Sequence, residues 1–268
     1  MNHIPKINSK ENHKLKLVRA VRDGRENSKI FVEGLRLVEE LLTTKLTISF
    51  AIFCPRLKET PRGITLINSI LNKSIETFEV ENNIFDSLAD TKNSQGIILI
   101  AEKPKTGKDL VECSLSKNPL LILLHQVNNP ANLGAILRTA EAVGVNGIIT
   151  TKGTVDVFSN KTNRSAMGAN FRLPLWTNVE FPEVILWAKE NGIMSVCADI
   201  RSEKSYLEID WKVSSLLVVG SEGHGLSVEE QQSTDESLII PMANQVESLN
   251  VAVACGVILF EAKRQRKL

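Results

Sequence analysis

Hydrophobic and polar residues follow two different spacings in the first third of the chain. "HKLKLVRAVRD" from His13 and "GLRLVEELLTT" from Gly34 repeat apolar residues at helical spacing, whereas "ISFAIFC" and "GIILIAE" are short apolar runs. Helical spacing predicts helices, and short runs rich in β-branched and aromatic residues predict strands. We therefore expect this third to alternate helix and strand.

Longer apolar runs recur beyond it, with helical patterns such as "NLGAILRTAEAVG" and "PEVILWAKENG" between most of them. The runs are "LLILLHQV", "NGIITTK", "GIMSVCADI", "SLLVVG" and "SLIIPM". Because their hydrophobicity is continuous rather than alternating, they predict strands buried on both faces, as in a parallel sheet covered by helices. The overall fold class is therefore α/β.

A polar stretch divides these two parts of the chain. Residues 103–118, "KPKTGKDLVECSLSKN", contain Pro104 and Gly107, which favour a linker. The sequence thus predicts a first domain over residues 1–104 and a second over residues 118–268.

Composition narrows the picture only slightly. The formal net charge of the 268 residues is +1, so composition indicates neither a disordered chain nor a tail that binds polyanions. Residues 1–30 nevertheless hold eight Lys or Arg against three acidic residues. This local excess is a candidate phosphate-facing surface, although charge alone favours a solvated amphipathic helix with Lys and Arg on its wet side.

The sequence also gives an expectation for the compartment. The four cysteines form no CxxC pair, which favours reduced thiols over a zinc cage or a disulfide framework. The N-terminal stretch lacks the apolar core of a secretory signal, and no apolar run reaches the ~20 residues needed to cross a bilayer. We therefore expect a cytoplasmic protein without a membrane or metal partner. The cysteines are Cys54, Cys113, Cys197 and Cys255.

Candidate chemistry lies where the strands of the second part end, because ligands of parallel sheets bind beyond the carboxyl ends of the strands. "GSEGHGLS" there places Gly220, Gly223 and Gly225 directly after a strand, which lets a ligand approach the backbone. Glu222 in the same turn would repel a bare pyrophosphate. A tight turn capped by Ser227 is the alternative interpretation.

Two other strand ends carry polar residues at predicted helix starts. In "NNPANLGAILR", Asn132 is a candidate cap, and Arg138 lies off the apolar stripe, where it could simply pair with Glu141. In "VESLNVAVACGVILFEAKRQ", Ser248 and Asn250 stand at the start of a helix predicted to begin near Ser248. They could cap that helix or face an oxygen-rich ligand.

Together these segments resemble the SpoU (TrmH-like) family of RNA ribose 2′-O-methyltransferases, within the SPOUT superfamily. "NPANLGAILRTAEAVGV", "LLVVGSEGHGLS" and "IIPMANQVESLNVAVACGVILFEAKRQ" look like its three motifs in order, and "NRSAMGANFRLP" is similar to a further family segment. "FVEGLRLVEE" and "QGIILIAE" look like the L30e-like RNA-binding domain of ribosomal RNA members.

The resemblance implies a SPOUT fold with a deep trefoil knot that binds S-adenosylmethionine. It also implies a homodimer in which Arg138 faces the third motif of the partner. Residues carried over to the cofactor pocket are Gly220, Ile240, Met242 and Leu249. Residues carried over to the catalytic set are Asn132, Arg138, Glu222, Ser248 and Asn250.

Chemistry refines two of these expectations. Arg138 is often cast as the base, but a guanidinium stays protonated in proteins, so it is expected to clamp an RNA phosphate and stabilise the developing alkoxide. Where members commonly begin the first motif with Asp-Pro-Gly/His-Asn, this chain has Asn129, Pro130, Ala131 and Asn132. Asn132 keeps the polar group, and Ala131 bears on loop geometry only.

The expected substrate is a guanosine ribose in 23S-type large-subunit ribosomal RNA, with DNA excluded because the 2′-hydroxyl reacts. Transfer RNA methylation and a non-catalytic role in ribosome assembly are the alternatives, and an antibiotic-resistance role shares the same two-domain plan. A Rossmann dehydrogenase is disfavoured because no GxGxxG opens a βαβ unit.

Overall fold

The computed structural model describes residues 4–244 and 248–266. The chain divides into two compact units, one formed by residues up to Pro104 with Phe158–Phe171, and one formed by Lys105–Val157 with the chain from Arg172 onward. The segment Phe158–Phe171 thus belongs to the first unit, although it lies inside the range that the sequence assigned to the second domain.

The secondary structure runs in the following chain order. The helices are α1 (His13–Arg22), α2 (Leu35–Leu42), α3 (Pro61–Asn72), α4 (Asn82–Leu88), α5 (Lys108–Glu112), α6 (Pro130–Val143), α7 (Asn160–Ala166), α8 (Phe181–Glu190), α9 (Val228–Gln232) and α10 (Val251–Arg266). The strands are β1 (Lys29–Glu33), β2 (Ile48–Phe53), β3 (Thr77–Glu79), β4 (Ile97–Glu102), β5 (Leu120–Leu124), β6 (Gly147–Thr151), β7 (Leu175–Val179), β8 (Met194–Ala198), β9 (Ser215–Val219) and β10 (Glu236–Leu238).

The first unit is built around a four-stranded sheet in the order β1-β4-β2-β3. β4 runs antiparallel to both of its neighbours, and β2 and β3 are parallel. Residues Ile97–Ala101 of β4 are fully buried, as the continuous apolar run predicted. Helix α1 covers the core with Leu15, Val18 and Val21, which recur at helical spacing.

The second unit contains a six-stranded sheet in the order β10-β8-β9-β5-β6-β7. Every paired strand in it is parallel, which confirms the predicted fold class. The central strands β5 and β9 are buried along their whole length, because helices cover both faces of such a sheet. The trefoil knot remains a prediction from the resemblance.

Sheet order places two strand ends side by side. The chain after β5 moves toward β6 and β7, whereas β9 pairs with the opposite edge of β5, with Leu124 opposite Val219. The loop after β5 and the loop after β9 therefore leave the same edge of the sheet as neighbours. A reversal of strand order of this kind is where parallel sheets bind ligands.

Within residues 4–244 and 248–266, none of the helices combines the length and the hydropathy that a membrane crossing requires.

Candidate active site

The loop that follows β9, from Gly220 to Leu226, folds back on itself and is called the glycine loop below. The amide of Ser221 donates to Gly225 O at 3.3 Å, and the amide of Gly225 donates to Ser221 O at 3.0 Å. A β-carbon at Gly220 would lie 2.6 Å from Gly225 O, so only glycine allows this approach. Gly225 also adopts a φ of +63°, which favours glycine.

Glu222 ties the glycine loop to the loop after β5. Its Oε2 accepts from the amide of Asn128 at 3.1 Å, and its Oε1 accepts from the amide of Asn129 at 3.1 Å. The side-chain Nδ2 of Asn132 donates to the same Oε1 at 3.1 Å. Its carboxylate thus joins the first and second motifs.

These contacts also set the charge of Glu222. Burial raises the pKa of this carboxyl, but the hydrogen bonds donated by Asn128, Asn132 and Asn129 outweigh it and hold the pKa below its ordinary value of 4.5. The carboxylate is therefore ionised near neutral pH. An ionised carboxylate accepts hydrogen bonds only, as its three donors require.

Asn132 extends this connection to the third motif. Its Oδ1 accepts from Asn250 Nδ2 at 3.0 Å, while Asn250 Oδ1 accepts from the amides of Ala252 at 2.9 Å and Val253 at 3.4 Å. Asn250 thus caps α10 and contacts the first motif at once. A chain of hydrogen bonds, Glu222–Asn132–Asn250, joins all three motifs.

The start of α6 explains why Asn132 is available for this contact. Asn129 is the helix cap, and its side chain accepts from the amide of Ala131 at 2.8 Å, with Pro130 in the first turn. Ala131 lies inside the helix, where it has no need of glycine freedom. Asn132 therefore has no capping role.

Arg138 is exposed on α6, opposite the buried stripe of Leu133, Ile136, Leu137 and Ala140. The alternative pairing with Glu141 is absent, since Arg172 Nε donates to that carboxylate at 2.5 Å. Over the part of the chain that the structure describes, Arg138 makes no ion pair or side-chain hydrogen bond. Its guanidinium is therefore open to a ligand.

Ser248 is also exposed, and it lies outside the hydrogen-bonded chain. The structure thus joins Asn132, Glu222 and Asn250 by hydrogen bonds, in which the described side chains of Arg138 and Ser248 take no part. Of the opening stretch of the third motif, residues 245–247 fall outside the described residues.

The glycine loop and the chain after β10 suit an adenosine-bearing cofactor. A β-carbon at Gly223 or Gly225 would meet no atom within 4 Å, so the backbone there borders open space. Ile240, Met242 and Leu249 are half-buried, which leaves part of each apolar side chain exposed for a flat ring. These residues would hold S-adenosylmethionine, which supplies the transferable methyl group when bound.

Sequence reasoning missed a buried polar cluster beside this site. His125 directly follows β5 and is 6% exposed. Its ring contacts Thr151 Oγ1 and the carboxylate of Glu230. Its signal in the sequence is a single polar residue that ends an apolar strand.

Comparison with known proteins identifies the class. The sequence matches the model of the SpoU rRNA Methylase family over residues 119–260, and the model of the MRM3-like substrate binding domain over residues 12–99. An uncharacterized tRNA/rRNA methyltransferase of Synechocystis is 30% identical over 98% of this chain and 95% of its own length.

Two further relatives cover nearly the whole chain. The 23S rRNA (guanosine(2553)-2′-O)-methyltransferase RlmP of Bacillus subtilis is 29% identical over 96% of this chain and 98% of its own length. The crystal structure of an AdoMet-bound rRNA methyltransferase from Sinorhizobium meliloti superposes with a TM-score of 0.83 at 28% identity, over 97% of this chain and 98% of that one.

The fold, the joined motifs and these matches define an RNA 2′-O-methyltransferase that uses S-adenosylmethionine. The chain belongs to the SpoU rRNA methylase family. The prediction from the three motifs is confirmed.

Proposed function

We propose that the protein methylates the ribose 2′-hydroxyl of a guanosine in 23S-type large-subunit ribosomal RNA. The observation that supports it most is the hydrogen-bonded chain Glu222–Asn132–Asn250, which gathers polar groups from three motifs at one edge of the sheet. The activity named for the RlmP relative and the match to a substrate-binding domain favour ribosomal RNA over transfer RNA.

Each polar side chain has a distinct role in this proposal. A ribose hydroxyl is weakly acidic, so the site must orient it and stabilise the alkoxide that develops as its proton leaves. Asn250 and Ser248 orient the ribose, and Glu222 holds the loops that position them. Arg138, exposed and unpaired among the described residues, clamps an RNA phosphate and stabilises the alkoxide.

The cofactor pocket in this proposal lies along the glycine loop. Gly220 gives the loop its tight entry, and the half-buried Ile240, Met242 and Leu249 pack on the adenosine and methionine parts of S-adenosylmethionine. The catalytic domain in this proposal is the range 118–268, of which Phe158–Phe171 belongs to the first unit.

The first domain, residues 1–104, holds the structured RNA in this proposal. Its match to a substrate-binding model supports that role. We propose that the protein acts in the cytoplasm. DNA should not serve as substrate, because it lacks the reacting hydroxyl.

The protein is proposed to act as a homodimer, in which Arg138 faces the third motif of the second copy. Helix α10 offers a surface for it, since Val253 and Phe260 are 53% and 54% exposed and lie two turns apart on one face. Val257, half-buried between them, continues the apolar stripe. Exposed apolar stripes of this kind favour association.

The substrate is tested by mapping 2′-O-methyl groups in total RNA from cells with and without the gene. We expect one guanosine of 23S-type ribosomal RNA to lose its methyl group, and the purified protein to restore it with S-adenosylmethionine. An RNA fragment carrying 2′-deoxyguanosine at that position is the matched control and should stay unmethylated. Loss of a transfer RNA methyl group instead, or of none, contradicts the proposed substrate.

A further inference from the structure

The backbone of His125 fixes the point where the glycine loop begins. His125 directly follows β5, and its amide donates to Val219 O at 2.8 Å. Val219 is the last residue of β9, and Gly220 follows it. The ladder between the two central strands thereby ends at the residue that precedes the loop.

The side chain of His125 reaches the other end of the same loop. Its Nε2 lies 3.1 Å from Glu230 Oε1. The other oxygen of Glu230 accepts from the amide of Ser227 at 2.8 Å, and Ser227 Oγ accepts from the amide of Glu230 at 3.2 Å. Since Ser227 directly follows Leu226, this capping box fixes the end of the glycine loop.

The neighbouring donors and acceptors define the imidazole tautomer. Thr151 Oγ1 accepts from the amide of Gln126 at 3.2 Å, which leaves its hydroxyl proton for His125 Nδ1 at 3.0 Å. Glu230 can only accept, so the Nε2 atom of the ring carries the proton. Burial lowers the pKa of His125, and Glu230 offsets part of this, so the ring is neutral near pH 7.

The ring is also held by packing. Its centroid lies 4.9 Å from that of Phe181 in an edge-to-face arrangement at 72°, and both side chains are buried. Backbone, both ring nitrogens and the ring face are thus all engaged. One residue connects the ends of β5, β6 and β9 with the helix after the glycine loop.

We propose that His125 is a positioning residue that holds the glycine loop in the conformation that receives S-adenosylmethionine. The proposal rests on the assignment of that loop to the cofactor pocket. His125 itself need not touch the cofactor, because it acts through Val219 at one end of the loop and through Glu230 at the other.

Two substitutions test the contacts of the two ring nitrogens separately. The amide of glutamine reaches the position of Nε2, so His125→Gln keeps the donor to Glu230 and loses the contact with Thr151. The amide of asparagine reaches the position of Nδ1, so His125→Asn keeps Thr151 and loses Glu230. Both remove the packing on Phe181, so a merely structural role predicts the same loss from each.

S-adenosylmethionine and S-adenosylhomocysteine binding would be measured by isothermal titration calorimetry on the full chain, alongside the melting temperature. We expect His125→Asn to raise both dissociation constants roughly tenfold, the equivalent of one hydrogen bond, and His125→Gln to stay within about threefold of the unmodified protein. At saturating cofactor, kcat should change less than about twofold in both, since only uniform binding is lost.

Glu230→Gln gives a second measurement should His125→Asn fail to fold. Its single oxygen cannot serve both His125 and Ser227, so it should raise the cofactor dissociation constant as His125→Asn does, and the double variant should be no worse than either single one. His13→Asn, an exposed histidine of the first unit, is the matched control.

Equal affinities in all variants, or equal losses in His125→Asn and His125→Gln, overturn the positioning role. Absence of cofactor binding in the unmodified protein instead refutes the cofactor pocket itself, so the two failures are distinguishable.

Discussion

At the residue scale, three asparagines have different roles, and the sequence did not predict which of them caps a helix and which connects two motifs. Asn129 caps α6, Asn132 bridges two motifs, and Asn250 both caps α10 and contacts Asn132. The residue type alone left capping and ligand binding open for Asn132 and Asn250, because the same amide serves both. Only the spatial neighbours decide.

Asn250 allows its two roles to be separated. Asn250→Asp keeps an oxygen for the amides of α10 but sets a carboxylate against Asn132 Oδ1, so we expect methyl transfer to fall at least tenfold with little loss of stability. Asn250→Ala removes the cap as well and should lower the free energy of unfolding by about 1 kcal/mol. Initial rates and urea unfolding curves check both variants.

If Asn250→Asp transfers methyl groups at the rate of the wild-type protein, the asparagine only caps the helix. Ser237→Ala, on β10 and outside the three motifs, is a suitable control for the unfolding curves.

His125 shows why part of a site escapes sequence reasoning. It ends the run "LLILLHQV", where the hydrophobic pattern predicts only a buried strand. Its partner Thr151 lies 26 residues further along the chain, and Glu230 lies further still. Such pairs become neighbours only through the order of the strands, which local periodicity does not encode.

At the scale of elements, α10 differs from expectation in the residue at which it begins. It begins at Val251 rather than near Ser248, because Asn250 is its cap. Gly256 faces α6 of the same chain, where an added β-carbon would lie 3.8 Å from Thr139 Cγ2. The surface left for association is the stripe of Val253, Val257 and Phe260.

The stripe predicts what a charged residue at Phe260, its most exposed side chain, does to association. Phe260→Glu should convert the proposed dimer to a monomer and abolish activity with little change in the melting temperature, because the side chain is 54% exposed in the single chain. Sedimentation equilibrium gives the mass. Leu186→Glu, at a side chain 57% exposed on α8, is the matched control and should remain dimeric.

If Phe260→Glu sediments with the same mass as the Leu186→Glu control, the α10 stripe is not the interface.

Strand prediction succeeded for the sheet interiors and failed at some edges. The runs of β4, β5 and β9 are continuous and buried, so the pattern located them. The strands β1, β3 and β7 stand at sheet edges and were not predicted. β3 has only three residues, and β7 includes the polar Thr177 and Asn178, so neither shows a continuous run.

At the scale of the whole molecule, chain order and spatial order differ. Residues 158–171 follow β6 in sequence, yet they form part of the first unit, where Asn163 Nδ2 donates to Phe31 O at 3.4 Å and to Phe158 O at 3.0 Å. Asn163 is fully buried in these contacts. A contiguous reading of the sequence assigns this segment to the second domain, because hydrophobic patterning carries no record of which unit a helix contacts.

Folding pairs most of the basic side chains near the N-terminus with carboxylates. Six of the eight basic side chains in residues 1–30 pair with carboxylates, three of which lie beyond that range at Glu76, Glu79 and Glu102. The local excess counted from the sequence is therefore partly neutralised. The paired residues are Lys6, Lys14, Lys16, Arg22, Arg25 and Lys29.

The central claim is that polar groups from three motifs, with an unpaired arginine, form one site for methyl transfer to an RNA ribose. The most direct test measures transfer from S-adenosylmethionine to ribosomal RNA, and cofactor affinity, for Arg138→Ala. Arg201→Ala, which removes an exposed arginine paired with Asp199, is the control. We predict that Arg138→Ala loses at least a hundredfold in kcat while its cofactor dissociation constant stays within about twofold. Methyl transfer at the rate of the control would contradict the account.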